Sequence, residues 1–270
     1  MRPQKGFTLI ELIIVIVLLA IVAGFSFQFV GIGAQMFATG AERLQTLEKS
    51  RFAIERVTRE IRGSVPNSAR VKEQNGALCL EFVPVKAVGT YYDAPIRPDS
   101  AAEMTFVTFA EGMNWRLDGT ERIFIYATRP NFIYSDNPQR YANLSGSYPA
   151  SGSTTDFENK LPLEPSSQFS KRSPLQRAYI GAQPVSFCLL NRTLYRVTNY
   201  GWIQQPQPVP SAGFNEANVI ATDIEQSSAA FTVEANNQQS NNIITVQLQF
   251  GDNAEEQVFY YREVHIPNAP

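Results

Sequence analysis

The sequence predicts an α+β fold: a long N-terminal helix packed on an antiparallel β-sheet domain with long loops. Three observations carry this expectation. No proline interrupts the chain between Pro3 and Pro66, and inside that span an apolar run passes directly into a stretch whose apolar residues recur at steps of three and four. Beyond Pro66, short runs rich in β-branched and aromatic residues alternate with clusters of Gly, Pro, Asn and Ser, the pattern of strands and turns. A helix laid on an antiparallel sheet is one of the few stable layer arrangements.

The N-terminal run comes first. From Leu12 to Val30 there are nineteen residues without a charge, which at about 1.5 Å per helical residue span roughly 28 Å, close to the thickness of bilayer hydrocarbon. One carboxylate, Glu11, stands at its start, where an ionised side chain costs at least ~2.5 kcal/mol unless something pairs with it. The basic head Met1 to Gly6, with Arg2 and Lys5, ends on a small residue placed before the apolar run. A secretory signal puts its small-residue cleavage site after that run. A cut after Gly6 keeps the hydrophobic helix and creates an α-amine on Phe7, a cation within reach of a neighbouring chain's Glu11 when two such helices pack side by side with a small axial offset. A secretory signal cut near Ala23 and Gly24, or an uncut anchor, shares the same apolar length, so length alone leaves both open. Arg2 and Lys5 on the short N-terminal side place that end in the cytoplasm and the bulk of the chain outside it.

The segment Lys5-Gly6-Phe7-Thr8-Leu9-Ile10-Glu11-Leu12 resembles the class III signal of type IV prepilins and of type II secretion pseudopilins. The resemblance implies that a prepilin peptidase cuts between Gly6 and Phe7, that Phe7 is then N-methylated, and that Glu11 aids assembly. On this reading residues 1–6 are a leader and 7–62 a helix whose membrane part is about 7–33. Residues 63–270 are a periplasmic or extracellular β-rich domain. The implied location is the bacterial inner membrane, as a single-pass protein, and then a pilus fibre. The implied partners are the major pilin, other minor pilins and the inner-membrane assembly platform.

After the membrane run, Phe37, Ala41, Leu44, Leu47, Arg51, Ile54, Val57 and Ile61 follow helical spacing while charged residues fill the other positions. This is an amphipathic continuation of the same helix, ended by Gly63, Ser64 and Pro66. Expected strands are Ala69 to Lys72, Ala77 to Val83, Met104 to Phe109, Arg122 to Thr128, Val185 to Leu190, Thr193 to Thr198, Ala229 to Glu234, Ile243 to Phe250 and Gln257 to Ile266. Asn191-Arg192 marks a tight hairpin, and the last three strands read as a meander. Arg129 to Arg177 is rich in Pro, Ser, Asn and Gly with dispersed aromatics, and reads as a long surface excursion or a partner-binding loop. Pro84 to Glu103 has the same character.

The two cysteines, Cys79 and Cys188, fall within expected strands, and the compartment inferred from the N-terminus is oxidising, which favours a disulfide over two buried thiols. Sequence does not fix whether their Cα atoms are close enough. Catalysis finds no support. The single histidine, His265, sits in a strand pattern near the C-terminus, and there is no phosphate loop, zinc spacing or nucleophile motif. No enzyme activity, cofactor or metal is expected; Asp252, Glu255 and Glu256 are spaced unlike any standard calcium loop. Net charge is -2, about -4 once Arg2 and Lys5 are removed, too acidic for a general nucleic-acid face. Asn143-Leu-Ser and Asn191-Arg-Thr match a glycosylation pattern with little meaning in a bacterium.

The large soluble portion is similar to minor pilins and to the J-type pseudopilin of type II secretion, which carry extra strands on a pilin core. Phe52 to Arg62 and Tyr261 to Pro270 resemble a large minor pilin, the O component, of the mannose-sensitive haemagglutinin (MSHA) pilus system. That resemblance implies a low-copy subunit that helps start or cap the fibre. A surface adhesin using the aromatic-rich 129–177 segment to hold sugars is a third reading.

Overall fold

A computed structural model describes residues 6–108, 117–145, 159–203, 214–234, 242–251 and 257–266. The chain divides into two units, Met1–Glu48 and Lys49–Pro270. A single helix, α1 (Leu9–Arg62), begins in the first and ends in the second. It starts two residues after the expected Phe7 and stops where Gly63 and Ser64 were expected to stop it. Its last carbonyls are met by the Gly63 and Ser64 amides, and the Ser64 hydroxyl also donates to the Ile61 carbonyl at 2.7 Å.

In the first unit the large apolar side chains from Leu9 to Leu44 are exposed, and α1 is long and apolar enough to cross a membrane. In the second unit α1 buries Ser50, Ala53, Ile54, Val57, Thr58 and Ile61, one stripe at helical spacing. The buried polar members of that stripe are satisfied. Thr58 donates to the Ile54 carbonyl at 2.8 Å, and Ser50 donates to the Tyr260 hydroxyl at 3.1 Å.

In chain order the strands of this unit are β1 (Arg70–Gln74), β2 (Ala77–Phe82), β3 (Val85–Tyr91), β4 (Ala101–Thr108), β5 (Arg122–Ile125), β6 (Tyr141–Asn143), β7 (Asn159–Ser167) and β8 (Arg177–Gly181). They are followed by β9 (Val185–Leu190), β10 (Thr193–Val197), β11 (Val219–Ala221), β12 (Phe231–Glu234), β13 (Asn242–Phe250) and β14 (Val258–Ile266). A one-turn helix, α2 (Asn131–Tyr134), precedes β6.

Three sheets result. The first has the order β1-β2-β9-β10-β11. Its β9–β10 hairpin turns on Asn191 and Arg192, both at positive φ (49° and 61°), the conformation a two-residue type I′ turn demands. The second is the expected meander β12-β13-β14. Both sheets pack with the buried stripe of α1 around one core that includes Ile54, Val57, Ile61, Leu80, Phe187, Phe231, Val246 and Val264.

The third sheet has the order β6-β5-β8-β3-β4-β7, every pair antiparallel. Its two end strands meet. Leu144, just past β6, bridges Leu163 of β7, and the Ser145 amide donates to the Pro162 carbonyl at 3.0 Å. The sheet therefore closes into a six-stranded barrel, filled by Tyr91, Met104, Phe106, Ile123, Leu161, Phe169, Ile180 and their neighbours. Gly89 lies where β3 and β4 approach so closely that a Cβ would stand 2.1 Å from the Val107 carbonyl oxygen. The barrel is inserted between β2 and β9, which are themselves paired neighbours.

Two sequence expectations are corrected here. Pro84 to Glu103 is not a loop excursion: it contains β3 and the start of β4. Within 129–177, the described residues include α2, β6, β7 and the first residue of β8, so much of that stretch is barrel wall. Strand β11 was not expected either, and Arg122 to Thr128 ends early, at Ile125, because Tyr126 takes a positive φ of 53°. Arg2, Lys5, Phe109, Tyr148, Phe157, residues 236–241, Asp252, Glu255 and Glu256 lie outside the described residues.

Candidate functional site

Gly6 and Phe7 precede α1, and Glu11 falls in its first turn. A carboxylate there lies against the positive end of the helix dipole. The Thr8 carbonyl accepts the Leu12 amide at 3.3 Å, so the helix is wound from the first residues after the junction. Phe7 is 79% exposed, Gly6 and Glu11 are exposed, and a Cβ built on Gly6 would meet nothing within 4 Å. All three residues are therefore sterically accessible.

Cys79 and Cys188 lie elsewhere, directly opposite each other on β2 and β9 with Cα atoms 4.0 Å apart, and they form a disulfide. That bond spans the base of the barrel insertion. His265 is an exposed residue of β14, paired with Ile243.

A buried polar cluster beside the disulfide escaped the sequence reading. Glu81 is 0% exposed and accepts from the Arg70 Nε and, at 3.0 Å, from the Tyr200 hydroxyl. Arg70 also donates to the Ile203 carbonyl at 2.8 Å and stacks 3.7 Å over the Tyr134 ring. Burial raises the Glu81 carboxyl above its ordinary pKa of 4.5, against the pull of Arg70 and Tyr200. Burial likewise lifts the Tyr134 and Tyr200 hydroxyls well above their usual value. A second cation, Arg122, is held between Tyr141 and Trp202, 4.1 and 4.2 Å from the ring centroids. Both cations serve as struts. Arg70 and Tyr200 fasten the segment around Tyr200 to Ile203 onto β1 and β2, and Tyr134 and Trp202 link that segment to the barrel. The only sequence signal was a Glu in an otherwise apolar strand, Ala77-Leu-Cys-Leu-Glu-Phe82. Among the described residues no group of three or more His, Cys, Asp or Glu is placed to hold a metal ion.

The N-terminal geometry has a counterpart in known families. Residues 1–27 match the family described as the prokaryotic N-terminal methylation motif. The chain carries a prepilin-type N-terminus. The match covers a tenth of the sequence and speaks for the junction and the apolar helix, where it supports a type IV pilin-like or pseudopilin protein processed by a prepilin peptidase. No curated protein and no solved structure matches the chain.

Proposed function

We propose that the chain is a minor type IV pilin of the MSHA type, a low-copy structural subunit that helps initiate or cap fibre assembly after its leader is removed. The reading rests on one observation: the methylation motif, with Gly6, Phe7 and Glu11 exposed, opens a helix that also supplies the buried stripe of the β-rich unit. A subunit built this way is held in the inner membrane with its N-terminus in the cytoplasm until the assembly platform draws it into the fibre beside the major pilin and other minor pilins. In lipid, Glu11 at the end of the apolar run reaches the headgroups. Among packed helices it meets the cationic N-methylated Phe7 of a neighbour. That pairing is heterologous and repeats without closing, as a filament requires. The inserted barrel supports a minor role, since an added module of this size suits a subunit present in few copies. A J-type pseudopilin shares the same N-terminus and differs in the fibre it joins.

Glu11→Gln tests the reading. Cleavage and membrane level should stay near normal, while co-purification with other pilins and recovery in sheared fibres should fall several-fold. Normal recovery in fibres would show that Glu11 is dispensable and defeat the assembly role given to it.

A further inference from the structure

Among the described residues the buried charged side chains are Arg70, Glu81, Glu121 and Arg140. Arg70 and Glu81 pair with each other, and Glu121 takes Lys86. Arg140 stands apart. It is 6% exposed, its Nε and Nη1 donate to nothing, and no carboxylate among the described residues acts on it. A buried cation without an anion and with unmade hydrogen bonds is one of the costliest arrangements that a fold can hold.

This cation sits at one end of the barrel. The Arg140 carbonyl accepts the Ile125 amide at 2.9 Å, which extends the β5–β6 pairing by one residue. Side chains alternate along a strand, and Ala142 and Leu144 belong to the barrel core, so Arg140 continues the same inward row. Its guanidinium lies 5.2 Å from the centroids of both the Tyr126 and the Phe132 rings. Both rings are half-buried, which places the cation just beneath the surface. Ring faces attract a cation, but they offer its N–H groups no oxygen to bond. Burial lowers the Arg140 pKa, and only Tyr126 acts the other way. Arg129, which is exposed, lies 5.3 Å from the same Phe132 centroid, so a second positive charge draws anions to this end.

We infer that this end of the barrel is a binding site for a small monocarboxylate, held by the Arg140 guanidinium. Charge selects the class, because one buried cation is neutralised by one negative charge. The unmet donors on Nε and Nη1 suit the two oxygens of a carboxylate, which together accept about four bonds. A carboxylate is also planar, as the guanidinium is. A phosphate dianion would bring a second charge and further oxygens to a place whose other walls are aromatic. The Tyr126 and Phe132 rings instead give an apolar flank to the tail of a short organic acid. The site belongs to the barrel and stands whether or not the chain joins a fibre.

The test titrates the full-length protein in a non-ionic detergent with sodium acetate and sodium benzoate, exchanged against sodium chloride at constant ionic strength, and separately with sodium phosphate. Calorimetry and the thermal midpoint are read together. At least one of the two acids should bind saturably and raise the midpoint. Arg140→Met should weaken that binding tenfold or more, and without added acid its midpoint should equal or exceed the parent's, since an unpaired buried charge is gone. Arg140→Lys keeps a charge but loses the planar fork and should also weaken binding about tenfold, so the inference stays testable if one variant fails to fold. Lys171→Ala, an exposed change elsewhere, should leave binding intact. Saturation by neither acid, saturation by phosphate alone, or acid binding that survives both Arg140 changes would overturn the inference.

Discussion

Removing the disulfide reports how the two cores of the β-rich unit are coupled. Cys79 and Cys188 are separated by 109 residues, and in the chain-entropy treatment a loop of that length stabilises the fold by about 4.8 kcal/mol at 25 °C. That figure assumes that everything between the cysteines unfolds with the rest. If the barrel stays folded while the α1 core opens, it holds Val85 and Gly181 together, because these residues are paired across β3 and β8. The loop closed by the disulfide is then effectively about 13 residues, and the contribution falls to about 2.9 kcal/mol. The size of the loss therefore separates one cooperative unit from two. The assay is urea unfolding of the full-length protein and of its Cys79→Ala, Cys188→Ala double variant in the same detergent, followed by far-ultraviolet circular dichroism and tyrosine and tryptophan fluorescence. A loss near 5 kcal/mol with coincident transitions indicates one unit, and a loss near 3 kcal/mol with the barrel melting separately indicates two. A loss under 1 kcal/mol would refute the reasoning, since it would mean that the bond constrains neither form of the unfolded chain.

Two further predictions follow from the packing. Gly89→Ala should destabilise the barrel by about 1–3 kcal/mol, since its Cβ would overlap the Val107 main chain, which cannot move aside as a side-chain tip can; a denaturation midpoint unchanged from the parent would contradict the close approach. Glu81 should add an acid-side slope to stability. Its folded pKa is raised by burial, so its favourable contribution is complete below about pH 4 and is lost as pH rises through the higher folded value. The difference in stability between the parent and Glu81→Gln should change across that window and level above it; a difference constant with pH would mean that the carboxyl titrates alike in both states.

Much of the fold was legible because local patterns agreed with their surroundings. The α1 stripe from Ile54 to Ile61, the β9–β10 pair around Asn191-Arg192 and the final meander all combine periodicity with turn chemistry. The barrel was hidden for physical reasons. Strand β7 carries Pro162 and Pro165, residues that cannot donate to a ladder and that mark edges and bulges, so its sequence resembles a loop. Strand β3 follows Pro84 and contains Gly89, whose role depends on how near Val107 comes, a non-local fact. Closure of β6 on β7 depends on residues distant in sequence and left no periodic mark. At the N-terminus the candidate residues were legible because motif and position coincide in one short stretch. The Arg70–Glu81–Tyr200 cluster was not, because its members come from three separate segments.

The most direct measurement is the intact mass and N-terminal sequence of the protein recovered from membranes of cells that express a prepilin peptidase. The account predicts a chain that begins at Phe7 and carries one added methyl group, and a full-length precursor when Gly6 is replaced by a bulky residue. A chain beginning near Phe25, or an unprocessed chain beginning at Met1 in the presence of active peptidase, would contradict it.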